Sequence, residues 1–402
     1  MTLRTLEELG DVAGTRVFVR ADFNVPLDDG RVADDLRIRA TLPTLHELLD
    51  AGASLVVASH LGRPKGKADD ALRMSPVAGR LEELLERDVM ALDAVVGEDA
   101  EAVCGHLSPG EVVLLENLRF EPGEEANDVA FAGRLAELAD AYVNDAFGAA
   151  HRSHASVTAL PELMTASGRQ AVAGRLLQKE VDVLSTLLGE PAKPYVAVLG
   201  GAKVSDKLAT IDALVERVDA LLIGGAMAFT LIAAEGGEVG NSLVERDRFD
   251  DVREASKRAH DVGALVELPS DVVAAAEVSV SAPTSTVPAD EIPRGLLGLD
   301  VGPKTVEEFA AIIGDARTIL WNGPMGVFEL EPFSAGTRGI ARAIAAADAF
   351  RVAGGGDTLL AIRQADLADA FDHLSTGGGA SLEFLEGKTL PGIAVLEERS
   401  VA

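Results

Sequence analysis

Tyr195-Val-Ala-Val-Leu-Gly-Gly-Ala-Lys203-Val-Ser-Asp-Lys207 is a short apolar run, a pair of glycines and two lysines four positions apart. The run has the length of a strand covered on both faces. Glycines at the carboxyl end of such a strand, ahead of a helical pattern, let main-chain N–H groups come close to an anion. The same pattern recurs through the second half of the chain. Ala220 to Ile223 meets Gly224-Gly225, Thr318 to Asn322 meets Gly323, Phe350 to Ala353 meets Gly354-Gly-Gly356, and His373 to Thr376 meets Gly377-Gly-Gly379. Helical patterns follow most of these runs. The reading is a parallel sheet with helices on both faces and ligands outside the strand ends.

The first half has the same rhythm with cations in place of glycines. Strands are expected at Arg16 to Val19, Ser54 to Ala58, Glu111 to Leu115 and Ala141 to Val143, and helices at Ile38 to Leu49, Ser75 to Leu85 and Asp128 to Leu138. Arg20, Arg37, His60, Arg63, Arg119 and Arg152 stand mostly where an apolar run gives way to a loop. Loop-end cations of this kind suit a polyanionic small molecule. Ala171 to Leu188 reads as one helix dividing the halves. The predicted organisation is 1–170, then 171–385 with 171–190 as hinge helix, then a C-terminal segment 386–402 returning to the first domain. The fold class is α/β, with two doubly wound parallel-sheet domains joined by that helix.

Composition agrees with two domains and narrows the partners. A chain of 402 residues exceeds what one core usually holds, so two domains of about 200 residues are expected. A formal charge of −29 opposes a nucleic-acid groove or an anionic membrane surface. Any anion site must be local. Only nine of the 36 basic residues are lysine, and acidic residues abound, which suits a salt-rich cytosol, with an ordinary acidic cytosolic protein as the alternative reading. At about 1 M salt the Debye length is about 3 Å, so the self-repulsion of such a surface is screened. The lone Cys104 excludes an internal disulfide and every CxxC motif. No apolar stretch nears the roughly 18 residues of a membrane span. A soluble, cytoplasmic, monomeric protein is expected.

Neither GxxxxGK[ST] nor GxGxxG occurs after a strand, so the glycines alone leave the ligand open. The first-half loops read Arg20-Ala-Asp-Phe-Asn-Val-Pro, Leu36-Arg37-Ile38-Arg39, Ser59-His60-Leu-Gly-Arg63-Pro, Glu116-Asn-Leu-Arg119-Phe and His151-Arg152-Ser-His154-Ala-Ser. The second-half loops read Gly200-Gly-Ala-Lys203-Val-Ser-Asp-Lys207, Gly224-Gly-Ala-Met227, Leu299-Asp-Val-Gly-Pro303, Trp321-Asn-Gly-Pro-Met-Gly-Val-Phe-Glu329, Gly354-Gly-Gly-Asp357-Thr358 and Ser375-Thr-Gly-Gly-Gly-Ala-Ser-Leu-Glu-Phe-Leu-Glu386. In this order and spacing the set resembles the phosphoglycerate kinases over essentially the full length. Ala21 stands where the family usually has Val, and Ala226 where it often has Gly.

The resemblance implies two Rossmann-like domains and reversible Mg²⁺-dependent phosphoryl transfer between 3-phosphoglycerate with ATP and 1,3-bisphosphoglycerate with ADP. By the same match Asp22, Phe23, Asn24, Arg37, His60, Leu61, Gly62, Arg63, Arg119 and Arg152 bind the substrate. Gly201, Lys203, Lys207, Gly225, Asn322, Glu329, Gly355, Gly356, Asp357 and Thr358 bind the nucleotide, with Asp357 as the Mg²⁺ contact. Arg37, Lys203 and Lys207 are the expected catalytic set. The chemistry is coherent, because a carboxyl acceptor with a pKa of roughly 3.5 is already ionised and needs no general base. What it needs is charge neutralisation and alignment.

Other readings of single residues are weaker. His151 and His154 are read as mainly structural, since HxxH without further ligands is a poor zinc signal. Lys203 and Lys207 are expected to share one helical turn facing a phosphate chain. Trp321 reads as core. Closure of the two domains is expected, with the open form dominant until both ligands are present. A catalytically silent two-domain binder would have no use for Arg37, Lys203, Lys207 and Asp357 together, and a dehydrogenase would carry the missing dinucleotide fingerprint.

Overall fold

The structure is a computed structural model that describes residues 2–398. Two compact units divide the chain after Asp182 and again after Lys388. The first unit is built on a six-stranded sheet of β1 (Arg16–Ala21), β2 (Ser54–Ala58), β3 (Val89–Ala91), β4 (Val112–Leu114), β5 (Ala141–Asp145) and β6 (Ala171–Ala173). Their order is β3-β4-β2-β1-β5-β6 and every pairing is parallel. Strands β2 and β5 are buried from end to end and β1 from Val17 onward, as runs such as Ser54-Leu-Val-Val-Ala58 require when helices cover both faces. One covering helix, Leu36–Asp50, buries Ile38, Leu45, Leu48 and Leu49 along a single stripe.

Two boundaries differ from the sequence reading in ways that matter. The 171–188 helix is corrected at its start: Ala171–Ala173 is the edge strand β6, and the helix is Arg175–Leu188. An Ala-Val-Ala run suits either period, and the choice is made by pairing with β5. The helix itself begins where Asp145 Oδ1 accepts the backbone N–H of Leu176 at 2.9 Å and of Leu177 at 3.2 Å. Strands β1 and β5 also run on past the expected Val19 and Val143, so Arg20 and Asp145 lie inside strands, fully buried. The C-terminal segment is tied to this unit, with Gly392 donating to Ala150 O at 2.9 Å and Asn144 Nδ2 donating to Gly392 O at 3.2 Å.

The second unit holds a second six-stranded parallel sheet of β7 (Tyr195–Leu199), β8 (Ala220–Ile223), β9 (Leu265–Glu267), β10 (Thr318–Asn322), β11 (Phe350–Gly354) and β12 (His373–Ser375). The order β9-β8-β7-β10-β11-β12 puts the first strand of the unit beside the fourth. The order of winding reverses there while the strands stay parallel, which makes the carboxyl ends of β7 and β10 the expected ligand crevice. A three-stranded antiparallel sheet, Ser285–Pro288 with Asp271–Ala275 and Leu297–Val301, adds to this unit. It corrects the loop reading of Leu299-Asp-Val. A glycine and a buried acid interrupt the apolar pattern, and Gly298 is needed because a Cβ there would lie 2.1 Å from the Phe229 ring.

Candidate active site

In the first unit the expected substrate residues follow the carboxyl ends of four adjoining strands. Asp22 to Asn24 follow β1, His60 to Arg63 follow β2, Glu116 to Arg119 follow β4 and Arg152 follows β5, while Arg37 stands in the first turn of Leu36–Asp50. Parallel neighbours all end on one side, so a sheet of order β4-β2-β1-β5 gathers these loops without any sequence proximity.

Hydrogen bonds then fix the loops to one another. Gly62 donates to Asn24 Oδ1 at 2.9 Å and Phe23 donates to Ser59 Oγ at 2.8 Å. Asn117 Oδ1 accepts from Leu61 at 3.1 Å, and its Nδ2 donates to Leu61 O at 2.7 Å and Leu72 O at 2.9 Å. Phe23 and Leu61 have buried side chains and their amides are engaged in the loop cluster, so they frame the site. Asn117 and Ser59 were not singled out by the sequence, although both lie inside quoted motifs. Nothing local distinguishes an asparagine that bridges two loops from one that caps a turn.

The cations divide into free and held. Arg63 is exposed and, among the described residues, makes no ion pair. Arg37 donates to Asn24 O at 2.9 Å and lies 3.3 Å from Asp22 Oδ2. Arg119 is buried, donates to Gly62 O at 2.8 Å and stands 3.4 Å from Glu125; burial lowers its pKa. Arg152 Nε donates to His151 Nε2 at 3.0 Å. Arg20, read as a loop-end cation, is corrected: it is fully buried in β1, with Nε on Ser156 Oγ at 2.8 Å and a guanidinium nitrogen 3.2 Å from His60 Nδ1. Burial, then the charges of Arg20, Arg119 and Arg37, hold the His60 pKa well below the usual imidazole value. His60 is therefore neutral near pH 7, and Nδ1, facing a guanidinium that can only donate, is the acceptor. Its proton sits on Nε2. His154 is lowered to about 4, first by burial, and it packs beside Glu124.

In the second unit, loops after β7, β8 and β10 meet the antiparallel sheet around a cavity of about 380 Å³. Gly201, Gly225, Glu329 and Asp357 line it with Phe229, Leu243, Val278 and Leu299. Not every glycine here serves a ligand. A Cβ on Gly200 would lie 2.1 Å from Pro324 O, and one on Gly323 would lie 2.1 Å from Gly200 O, so these two let the β7 and β10 loops abut. At Gly201 and Gly356 a Cβ would meet nothing within 4 Å, and there the backbone faces open space. Thr358 is buried, its hydroxyl accepting the Gly323 N–H at 2.7 Å.

The lysine pair is also corrected. The helix begins at Leu208, so Lys203 lies in the preceding loop and Lys207 at the helix boundary. They do not share a helical turn. Lys207 donates to Asn322 Oδ1. Burial lowers its pKa, against the opposing charges of Asp206, Glu386 and Asp357. Trp321 is fully buried, its indole donating to Gly323 O at 2.9 Å. Among the described residues no three His, Cys, Asp or Glu side chains cluster to hold a metal. The exposed Asp357, in the first turn of Gly356–Gln364, offers one carboxylate to the cavity. One protein carboxylate fits Mg²⁺ that keeps its waters and takes its other ligands from phosphates.

A cation-lined loop cluster on one parallel sheet and a glycine-edged cavity on another are the parts a phosphoryl-transfer enzyme requires. A family model described as phosphoglycerate kinase matches residues 6–388. The chain is 56% identical over 406 residues to phosphoglycerate kinase of Salinispora tropica, covering 99% of this chain and 100% of that protein. It is 50% identical over 399 residues to that of Moorella thermoacetica, with the same coverage. Among solved structures, phosphoglycerate kinase from Coxiella burnetii has a TM-score of 0.86 at 39% identity, and that from Pyrococcus horikoshii 0.85 at 32%, each covering 98% of both chains. Fold, loop chemistry and full-length likeness agree: the chain belongs to the phosphoglycerate kinase family and is a phosphotransferase.

Proposed function

We propose that the loop cluster of the first unit takes 3-phosphoglycerate, that the cavity and glycine loops of the second take ATP or ADP, and that a phosphoryl group passes reversibly between the substrate 1-carboxylate and the nucleotide. The observation that supports this most is the placement of His60, Arg63, Arg119 and Arg152 at the carboxyl ends of adjoining parallel strands, in a chain whose net charge is −29. Positive charge concentrated there has a local purpose.

In this reading Arg63, Arg119, Arg152 and the His60 Nε2–H hold the 3-phosphate and nearby oxygens. Asp22 and Asn24 hold the hydroxyl and carboxyl end. Arg37 meets the charge that develops on the transferring group, joined by Lys203, while Lys207 and Asn322 hold nucleotide phosphates and Glu329 the ribose. Bound Mg²⁺, held at Asp357, would supply charge neutralisation to the phosphates. No side chain needs to remove a proton, since the acceptor oxygen is already anionic. Closure of the two units over both ligands, with Arg175–Leu188 as the hinge, belongs to the same proposal and would keep water from the phosphoryl group. The acidic surface and single cysteine support a monomer in a reducing, salt-rich cytoplasm.

The direct test mixes the protein with 3-phosphoglycerate, ATP and Mg²⁺ and follows ADP. Turnover that requires all three, and stops with a chelator, is expected. ADP release that is independent of 3-phosphoglycerate would overturn the substrate assignment.

A further inference from the structure

One buried chain of groups behind the substrate cluster is not used in the mechanism above. Glu124 is fully buried and its two oxygens both go to one residue, accepting the Ser156 hydroxyl at 2.6 Å and the Ser156 backbone N–H at 2.9 Å. Ser156 Oγ, also buried, accepts from Arg20 Nε at 2.8 Å, and Arg20 in turn reaches His60 Nδ1 at 3.2 Å. Every link has only one possible direction. A carboxylate only accepts, so the serine proton points to Glu124 and the serine lone pairs face Arg20. A guanidinium only donates, so His60 Nδ1 must accept. Chains of this kind polarise one another and lose their order when one member is wrong.

We propose that Glu124 is a positioning residue for substrate binding: acting through Ser156 and Arg20, it fixes His60 in the tautomer that presents Nε2–H to the phosphate cluster. The four residues come from separate places in the chain, namely the short helix Pro122–Glu125, the loop after β5, β1 and the loop after β2. Other charged and titratable groups stand near the ends of the chain: Asp22 Oδ1 lies 4.0 Å from His60 Nδ1, beyond hydrogen-bond distance, the His154 ring lies 3.9 Å from Glu124, and the Arg119 charge acts on both ends. The inference rests on the proposed role of His60 and is tested so that the two can fail separately.

Glu124→Gln tests it directly. An amide cannot accept both Ser156 donors, because one of its two ends must itself donate. The side-chain ¹⁵N signals of the His60 imidazole should show a single Nε2–H tautomer in the parent protein and a mixture in Glu124→Gln. KM for 3-phosphoglycerate should rise roughly ten- to a hundredfold, the worth of a hydrogen bond to a charged group, with KM for ATP unchanged. Ser156→Ala removes the link and keeps the carboxylate; it should give the same tautomer mixing and the same split in KM, and it carries the test if Glu124→Gln does not fold. A folded variant whose His60 tautomer is unaltered overturns the proposal. Tautomer mixing without any change in KM for 3-phosphoglycerate would instead leave the relay standing and overturn the role given to His60.

Discussion

Arginine has two fates in this chain, and burial separates them. Arg20 is consumed by internal partners, whereas Arg37 keeps part of its surface exposed beside Asp22 and Asn24. If Arg37 stabilises charge that appears only during transfer, Arg37→Ala should lower kcat at least about a hundredfold while the fold, read by circular dichroism, is unchanged. Buried acids give a second prediction. Burial pushes the Asp145 carboxyl up to about 7, and that of Asp300 likewise. A carboxyl whose folded pKa is raised favours the fold fully below its unfolded value near 4, and this contribution is lost as pH rises through about 7. Asp145→Asn keeps an acceptor for Leu176 and Leu177 and removes the charge. Its unfolding free energy from urea titration should match the parent at pH 4 and exceed it at pH 8, by an upper limit of about 4 kcal/mol. Equal shifts at both pH values would refute this.

At the scale of elements, the contact between the β7 and β10 loops shows why a glycine motif need not be a ligand motif. Gly200 and Gly323 leave no room for a methyl group, whereas Gly356 opens on space. Gly200→Ala should therefore destabilise the second unit by about 1–3 kcal/mol or more, seen as a lower denaturation midpoint. Gly356→Ala should keep that midpoint and raise KM for ATP. The reverse pattern would mean that the two glycines have been given each other's roles.

For the whole molecule, the charge of −29 is the property with the widest consequence. Many acidic side chains are paired at the surface, as in Arg16 with Asp140 and Arg338 with Glu331, but exposed pairs contribute little and leave the net repulsion in place. If this surface is built for a salt-rich cytosol, kcat and thermal midpoint should both rise as KCl increases from about 0.05 M towards 1 M, where the Debye length falls to about 3 Å. Activity that is greatest in dilute buffer would remove the salt adaptation and leave the enzyme assignment intact.

Much of this architecture was legible in local pattern. Strands buried on both faces are written as unbroken apolar runs, and loops at their ends carry glycines and cations, so most strands of both parallel sheets and the order of the loops could be read one segment at a time, whereas the short strands Val89–Ala91, Ala171–Ala173 and Leu265–Glu267 could not. The ordered set of loops also carried the family. What could not be read were facts set by pairs distant in sequence. Ala171–Ala173 became a strand only because β5 was there to pair with it. Leu297–Val301 became a strand only against Asp271–Ala275. Arg20 lost its place among the loop-end cations because Ser156, 136 residues away, and His60 take up its hydrogen bonds. Periodicity reports which face of an element is apolar; which polar group meets which is decided when elements pack, since a buried donor must find its acceptor wherever the fold has put one.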